Sequence, residues 1–205
     1  MNVADLAVAF VYASLFVELV AFPIPSEAST WQLLATRSDA AVGEALVEAR
    51  RRPTLTKFVC YAVPTVVGVV AWLVPGIALL WPALRELANV PSQATVAAAV
   101  VAIAIGRGLT FTSVLQLRAA RRAGRAPAGL FRRSRNPGLV GMYVCFAGLV
   151  LASGFPVLWA VLPFYIANMH GRVRLEEAHL VARLGSAWTG YAALVPRYLP
   201  LPGLR

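Results

Sequence analysis

From Phe58 to Leu84 the chain runs for 27 residues without an acidic or basic side chain. A helix rises ~1.5 Å per residue, so ~20 apolar residues cross the ~30 Å hydrocarbon layer of a bilayer. The run is long enough for a full crossing despite Pro64 and Pro75. Composition points the same way: 59% of the 205 residues are hydrophobic and 14% charged, against about 45–50% and about 25% in ordinary soluble domains. With a mean hydropathy of +0.69, disordered, collagen-like and repeat-array chains are excluded, and the membrane class is left.

Three further stretches complete the pattern. Ala7 to Ile24 is interrupted only by Glu18. Leu87 to Gly106 adds 20 uncharged residues, and Gly108 to Leu117 extends this crossing past Arg107, after the Val90-Pro91-Ser92 breaker. Asn136 to Gly171 is far too long for one crossing, and Gly154 and Pro156 punctuate its middle. It reads as a helical hairpin, Gly138 to Ser153 and Phe155 to His170. The arms are slightly short, so tilt or local bilayer thinning is expected. The expected fold is therefore all-α: one polytopic transmembrane bundle of about five spans, the last two a hairpin, with a cytoplasmic amphipathic helix after them.

Loop charges set the orientation. Arg37, Arg50, Arg51, Arg52 and Lys57 lie between the first two spans, and only Arg85 between the second and third. Arg118, Arg121, Arg122, Arg125, Arg132, Arg133 and Arg135 follow the third, and Arg172, Arg174, Arg183, Arg197 and Arg205 follow the hairpin. The positive-inside rule puts the N-terminus outside and the C-terminus in the cytoplasm. The formal net charge of +10 is accounted for in this way, so nucleic acid is not expected as a partner. Lys57 is the only lysine, a bias of GC-rich bacterial genomes, which suggests a bacterial inner membrane.

Cys60 and Cys145 sit in apolar runs with no Cys-x-x-Cys pair or adjacent histidine, so two free buried thiols and no metal site are expected. The N-terminus lacks the basic region of a secretory signal, and the first apolar segment is expected to be retained. A surface helix is expected over Ser38 to Arg52. From Arg172 to Trp188 another helix places Val173, Leu180, Val181, Leu184 and Trp188 on one arc.

That arc also carries Glu177, with Glu176 at its edge and Tyr191 if the helix runs that far. A carboxylate facing an apolar surface needs a partner. An ion pair with Arg174 or Arg183 and a ligand contact serve equally well, and His170 has the same ambiguity. Pro137 biases Asn136 away from helix, so the Arg132-Arg133-Ser134-Arg135-Asn136-Pro137 segment bends into the hairpin with Arg135 and the Asn136 amide at the membrane surface. Alone, such arginines serve as positive-inside anchors. Glu18 and Arg107 are ionisable groups inside spans, and such residues are functional suspects.

In order along the chain stand Arg135-Asn136-Pro137, Gly141, the hairpin, His170, Arg172, Glu176-Glu177-x-x-Leu180, Leu184-Gly185, Tyr191 and Val195-Pro196-Arg197-Tyr198-Leu199-Pro200. This order resembles the isoprenylcysteine carboxyl methyltransferase and phospholipid methyltransferase superfamily of integral-membrane enzymes, over roughly the C-terminal third of the chain. The resemblance implies that residues 129–205 form a cytoplasmic cradle for S-adenosylmethionine, after N-terminal spans and loops over 1–128. Cofactor contacts are implied for Arg135, Asn136, Pro137, Gly141, His170, Arg172, Glu176, Glu177 and Tyr191, with Arg197 in the tail that closes the pocket. His170, Glu177 and Arg197 are the implied catalytic candidates. The chain departs from the pattern at Leu139, where a tyrosine is common and Tyr143 follows four residues on, and at Leu184 and Trp188.

The implied acceptor is amphiphilic or lipid-like: an isoprenylcysteine-type carboxylate, a phospholipid amine or a hydrophobic thiol. Glu18, Arg107 and Tyr143 are the candidates for contacting it. A carboxylate acceptor needs no base, whereas an amine or thiol must lose a proton, for which His170 or an acidic residue is available. Two other readings fit the same residues. One is a membrane reductase similar to the sterol reductases, using NADPH; the other is a non-enzymatic transporter or scaffold in which the buried charges serve a pathway or packing.

Overall fold

The computed structural model describes residues 2–21, 55, 63–123 and 126–199, and the regular elements among them are all helical. They are α1 (Val3–Ala21), α2 (Val63–Leu80), the one-turn α3 (Pro82–Arg85), α4 (Gln93–Arg122), α5 (Pro137–Ser153), α6 (Val157–Leu184) and α7 (Ser186–Leu194). A 3-10 turn at Gly129–Arg132 precedes α5. The surface helix expected over 38–52 and Cys60 lie outside the described residues.

Helix starts and stops follow local chemistry. Ser92 accepts a hydrogen bond from the Thr95 backbone N–H at 3.2 Å and caps α4. Pro137 occupies the first turn of α5, where its missing N–H costs nothing. Gly154, with φ of 72°, ends α5 in the left-handed conformation, and its backbone packs so tightly on the Asn89 carbonyl that no side chain fits there.

α4 and α5 form the spine. Gly138, Gly141, Cys145 and Gly148 recur on α5 at alternating spacings of three and four, facing Ala99, Ile103, Gly106, Thr110 and Ser113 on α4. A Cβ at Gly141 would lie 2.6 Å from the Gly106 carbonyl oxygen, and one at Gly148 would lie 2.9 Å from that of Ala99. With Gly138 against Ser113 and Gly148 against Ala99, the two helices run antiparallel. Close backbone approach through small residues is how helices associate in lipid, where apolar side chains gain little by leaving hydrocarbon.

The other helices pack around this spine. Tyr12 of α1 bridges to α2, donating to the Trp72 carbonyl and accepting from the Gly76 N–H at 3.0 Å, while Asp5 pairs with Arg85 just past α2. Arg107 and Arg118 of α4 reach Ser14 and Ala21 of α1, so those two helices run parallel. α6 returns along α5 with Tyr165 against Tyr143, ring centroids 5.8 Å apart. Val11, Ala99, Phe146, Leu149 and Val150 are buried at the centre. The outward faces of α1 and α2 expose Phe10, Phe16, Val66, Val70, Leu73 and Ile77, a surface suited to hydrocarbon rather than water. α2 and α4 are long and apolar enough to cross a membrane, and the apolar α5 has 17 residues.

One boundary differs from the sequence reading. The expected second hairpin arm and the helix expected from Arg172 are a single helix, α6, of 28 residues. Gly171 stays helical, and Pro163 is also accommodated within α6. The break falls instead at Gly185, whose φ of 56° stops α6 and starts α7. Trp188 and Tyr191 therefore stand on a separate helix, not on the arc that carries Glu177.

Candidate functional site

The polar end of the bundle is organised by the chain after α7. The Arg135 N–H donates to the Pro196 carbonyl at 2.9 Å, and the Asn136 amide donates to the Arg197 carbonyl at 3.1 Å. The Asn136 N–H in turn donates to Ser134 Oγ at 3.1 Å. The bend before α5 and the tail are thus laced together. α7 is fastened to the same region by Tyr191, whose hydroxyl donates to the Phe131 carbonyl at 2.7 Å.

Glu177 of α6 is the focus. Its Oε2 accepts from Arg197 Nε at 3.0 Å and NH2 at 2.6 Å, and its Oε1 lies 3.0 Å from Arg135 NH1. The hydrogen bonds to Glu177 hold the Arg197 guanidinium above its usual pKa. Oε1 meets Arg135 as an ion pair without hydrogen-bond alignment, and the Nε of Arg135 is buried with no partner. Both groups keep capacity for a further polar ligand.

Beside this cluster is a pocket of about 410 Å³, lined among others by Arg135, Arg174, Glu177, Trp188, Thr189 and Arg197. Three guanidinium groups face one carboxylate, so the pocket favours an anionic group, and the Trp188 indole supplies a flat apolar wall. S-adenosylmethionine fits this donor set. Its carboxylate matches the arginines, its ammonium or hydroxyls match Oε1, and its adenine matches Trp188.

The remaining predicted residues fall into separate places. Pro137 begins α5, and Gly141 faces Gly106 across the spine, so its close approach is to a helix. Arg172 contacts Met169 Sδ at 3.8 Å and buries an Nε without a partner. Glu176 is exposed on α6. His170 Nδ1 lies 3.1 Å from the Tyr198 hydroxyl. Tyr143 stacks on Tyr165 and on Tyr198, with centroids 5.8 and 6.2 Å away.

Glu18 and Arg107 find each other. Arg107 is 2% exposed and donates through NH2 to Glu18 Oε2 at 2.7 Å and to the Ser14 carbonyl at 3.0 Å. Its guanidinium lies 4.8 Å from the Phe111 ring centroid, a cation–π contact. Neither residue lines the pocket beside Glu177.

This arrangement places the buried carboxylate, its arginines and the Asn-Pro bend at one end of one bundle. Residues 93–187 match the phospholipid methyltransferase family. The match covers a little under half the chain, from the start of α4 into α7, and agrees with the superfamily resemblance read from the sequence. Phospholipid methyltransferases are membrane proteins that transfer methyl groups to lipid-like substrates and generally use S-adenosylmethionine. The match takes in Arg135, Asn136 and Glu177 but stops before Arg197 and Tyr198. No curated protein and no solved structure is a significant match to the chain.

Two residues that the sequence reading did not single out belong to the site. Ser134 supplies the hydroxyl that orders the bend, and Tyr198 reaches both His170 and Tyr143. Tyr198 follows Arg197 directly, but its partners lie 28 and 55 positions away in the chain, and no periodicity links them.

Proposed function

We propose that the chain is an integral-membrane methyltransferase that moves a methyl group from S-adenosylmethionine to an amphiphilic or lipid-like acceptor. The observation that carries this reading is the buried Glu177 carboxylate, held by Arg135 and Arg197 beside a pocket, with Arg135 and Glu177 inside the stretch that matches the family. The chain is read as five spans in a bacterial inner membrane, with the N-terminus outside and the site at the cytoplasmic face. Alternating helix directions and the basic residues at the α4–α5 end support that orientation.

Bound there, the cofactor would supply an electrophilic methyl on a sulfonium. The protein's contribution is alignment, because a displacement that neutralises charge gains most from holding the two reactants in line. Arg135 and Arg174 would hold the carboxylate. Glu177 would take the ammonium or hydroxyls, and Trp188 with the α7 wall would exclude water. The bend through Asn136 and Pro137 fixes the tail carrying Arg197, and so fixes Glu177.

Isothermal titration of S-adenosylhomocysteine into the detergent-purified protein tests the reading. Micromolar binding that falls at least about tenfold in Glu177→Ala and Asn136→Ala is the expected result, a loss of ~1.4 kcal/mol or more. A folded wild-type protein that does not bind would overturn it.

A further inference from the structure

α1 and α4 run parallel from the same end of the bundle, the outer end on the orientation proposed above. They are tied along their inner halves, where Arg107 reaches Ser14 and Glu18 and Arg118 reaches Ala21. Along their outer halves they part around a groove. Its upper part, of about 690 Å³, is lined by Ala4 of α1 and by Ala97 and Val101 of α4. Its lower part, of about 280 Å³, is lined by Ala7 and Phe10 of α1 and Ala104 of α4. Val3 and Val100 line both parts, so the two adjoin. Small side chains make the space: the alanines stand three apart on α1 and seven apart on α4, spacings that keep each pair on one face of its helix.

The groove is polar at one end and hydrocarbon elsewhere. Among the described residues that line it none is charged, and its polar members, Asn2 and Gln93, stand where α1 and α4 begin. Buried Ala4 and Ile103 form the floor, while Leu6, Phe10 and Val101 are exposed along the sides, so the groove opens laterally. From Gln93 to Ala104 is eleven residues, or ~16 Å of helix. That is about half of the ~30 Å hydrocarbon layer, the depth of one leaflet. The mouth also suits a phosphate. Asp5, three residues after Asn2, is neutralised by Arg85, and the positive dipole ends of two parallel helices meet there.

Resting on the membrane reading above, we propose that this groove holds one acyl chain of a glycerophospholipid from the outer leaflet, with the lipid phosphate at the mouth formed by Asn2 and Gln93. The lipid is distinct from the methyl acceptor. Its groove ends at Ala104, whereas the pocket beside Glu177 is lined by the bend before α5, by α6 and α7, and by the tail. The chain fills the gap between α1 and α4, and a ligand that binds only the folded protein stabilises it.

Native mass spectrometry of the full chain, purified in detergent, stripped of lipid and titrated with dioleoylphosphatidylglycerol, tests the site. One lipid per chain is expected to bind ahead of the rest and to raise the unfolding temperature. Ala97→Trp, which fills the groove, is expected to weaken that first step at least about tenfold. Phe16→Trp, on an exposed face of α1 outside the groove, should bind as wild type does. Val101→Trp fills the same space from an exposed position and replaces Ala97→Trp if that chain loses its helical circular-dichroism signal. Uptake without a distinct first step, or equal binding by the groove variant and Phe16→Trp, would overturn the assignment. A two-chain particle that Ala97→Trp splits would overturn it too, giving the groove to a second copy. Alkaline carbonate extraction separates this failure from that of the membrane reading. A chain released from membranes without detergent would overturn both, whereas for a chain retained there the titration decides the groove alone.

Discussion

Arg197 grips Glu177 through two nitrogens that converge on one carboxylate oxygen, at 3.0 and 2.6 Å, leaving the other oxygen to Arg135. The grip depends on the planar fork of a guanidinium. Lysine offers a point charge and no Nε, so the substitution is not conservative. Arg197→Lys is expected to weaken S-adenosylhomocysteine binding about tenfold, and Arg197→Ala more, with the helical circular-dichroism signal unchanged. Binding by Arg197→Lys equal to wild type would remove the fork from the site.

The Glu18–Arg107 pair makes a stability prediction. Removing one member of a buried pair leaves a charge without compensation and typically costs about 3–5 kcal/mol, whereas replacing both with apolar groups is often close to neutral. Glu18→Gln should therefore lower the unfolding temperature in detergent more than the double variant Glu18→Leu/Arg107→Met does. Equal losses in the two would mean that the charges are not coupled.

The glycines of α4 provide a matched comparison. A methyl on Gly106 would drive into the Cys145 and Gly141 backbone, whereas one on Gly108 meets nothing within 4 Å. Gly106→Ala is expected to cost about 1–3 kcal/mol by overpacking. Gly108→Ala should be neutral or gain up to about 1 kcal/mol from helix propensity. Thermal unfolding of the pair checks this, and equal behaviour would argue against the close helix contact.

Tyr191 ties α7 to the bundle through a neutral phenol. Burial raises its pKa above the usual 10, with Arg135 pulling the other way. A raised folded-state value means that the contribution is complete below about 10 and is lost as pH climbs through the folded value. Trp188, whose ring lies 5.4 Å from that of Tyr191, should report undocking as a fluorescence change between neutral and strongly alkaline pH. Tyr191→Phe, which cannot ionise, should show no such transition.

Helices were legible from the sequence where charge was absent, because long uncharged runs leave few alternatives. The break at Gly185 was not, since Gly171 offers the same residue type fourteen positions earlier and only the backbone angles tell them apart. Arg135, Asn136 and Glu177 were found through their order in a motif. Their mutual contact through Arg197 depends on a tail that folds back across the bundle, which no local pattern encodes. The pairing of Glu18 with Arg107 follows the same rule: each was suspect as a charge in an apolar run, but the identity of its partner is a property of helix packing.

The glycine-lined contact between α4 and α5 is made largely by backbone, with Ile103, Thr110 and Ser113 wedged directly against the glycines. Such a joint behaves as a weld, because parting it opens a void along its whole length before any new contact forms. On the methyltransferase reading proposed above, any widening for a lipid-sized acceptor falls to other contacts, such as that of Gly68 on α2, which faces the Tyr165 side chain of α6 rather than backbone.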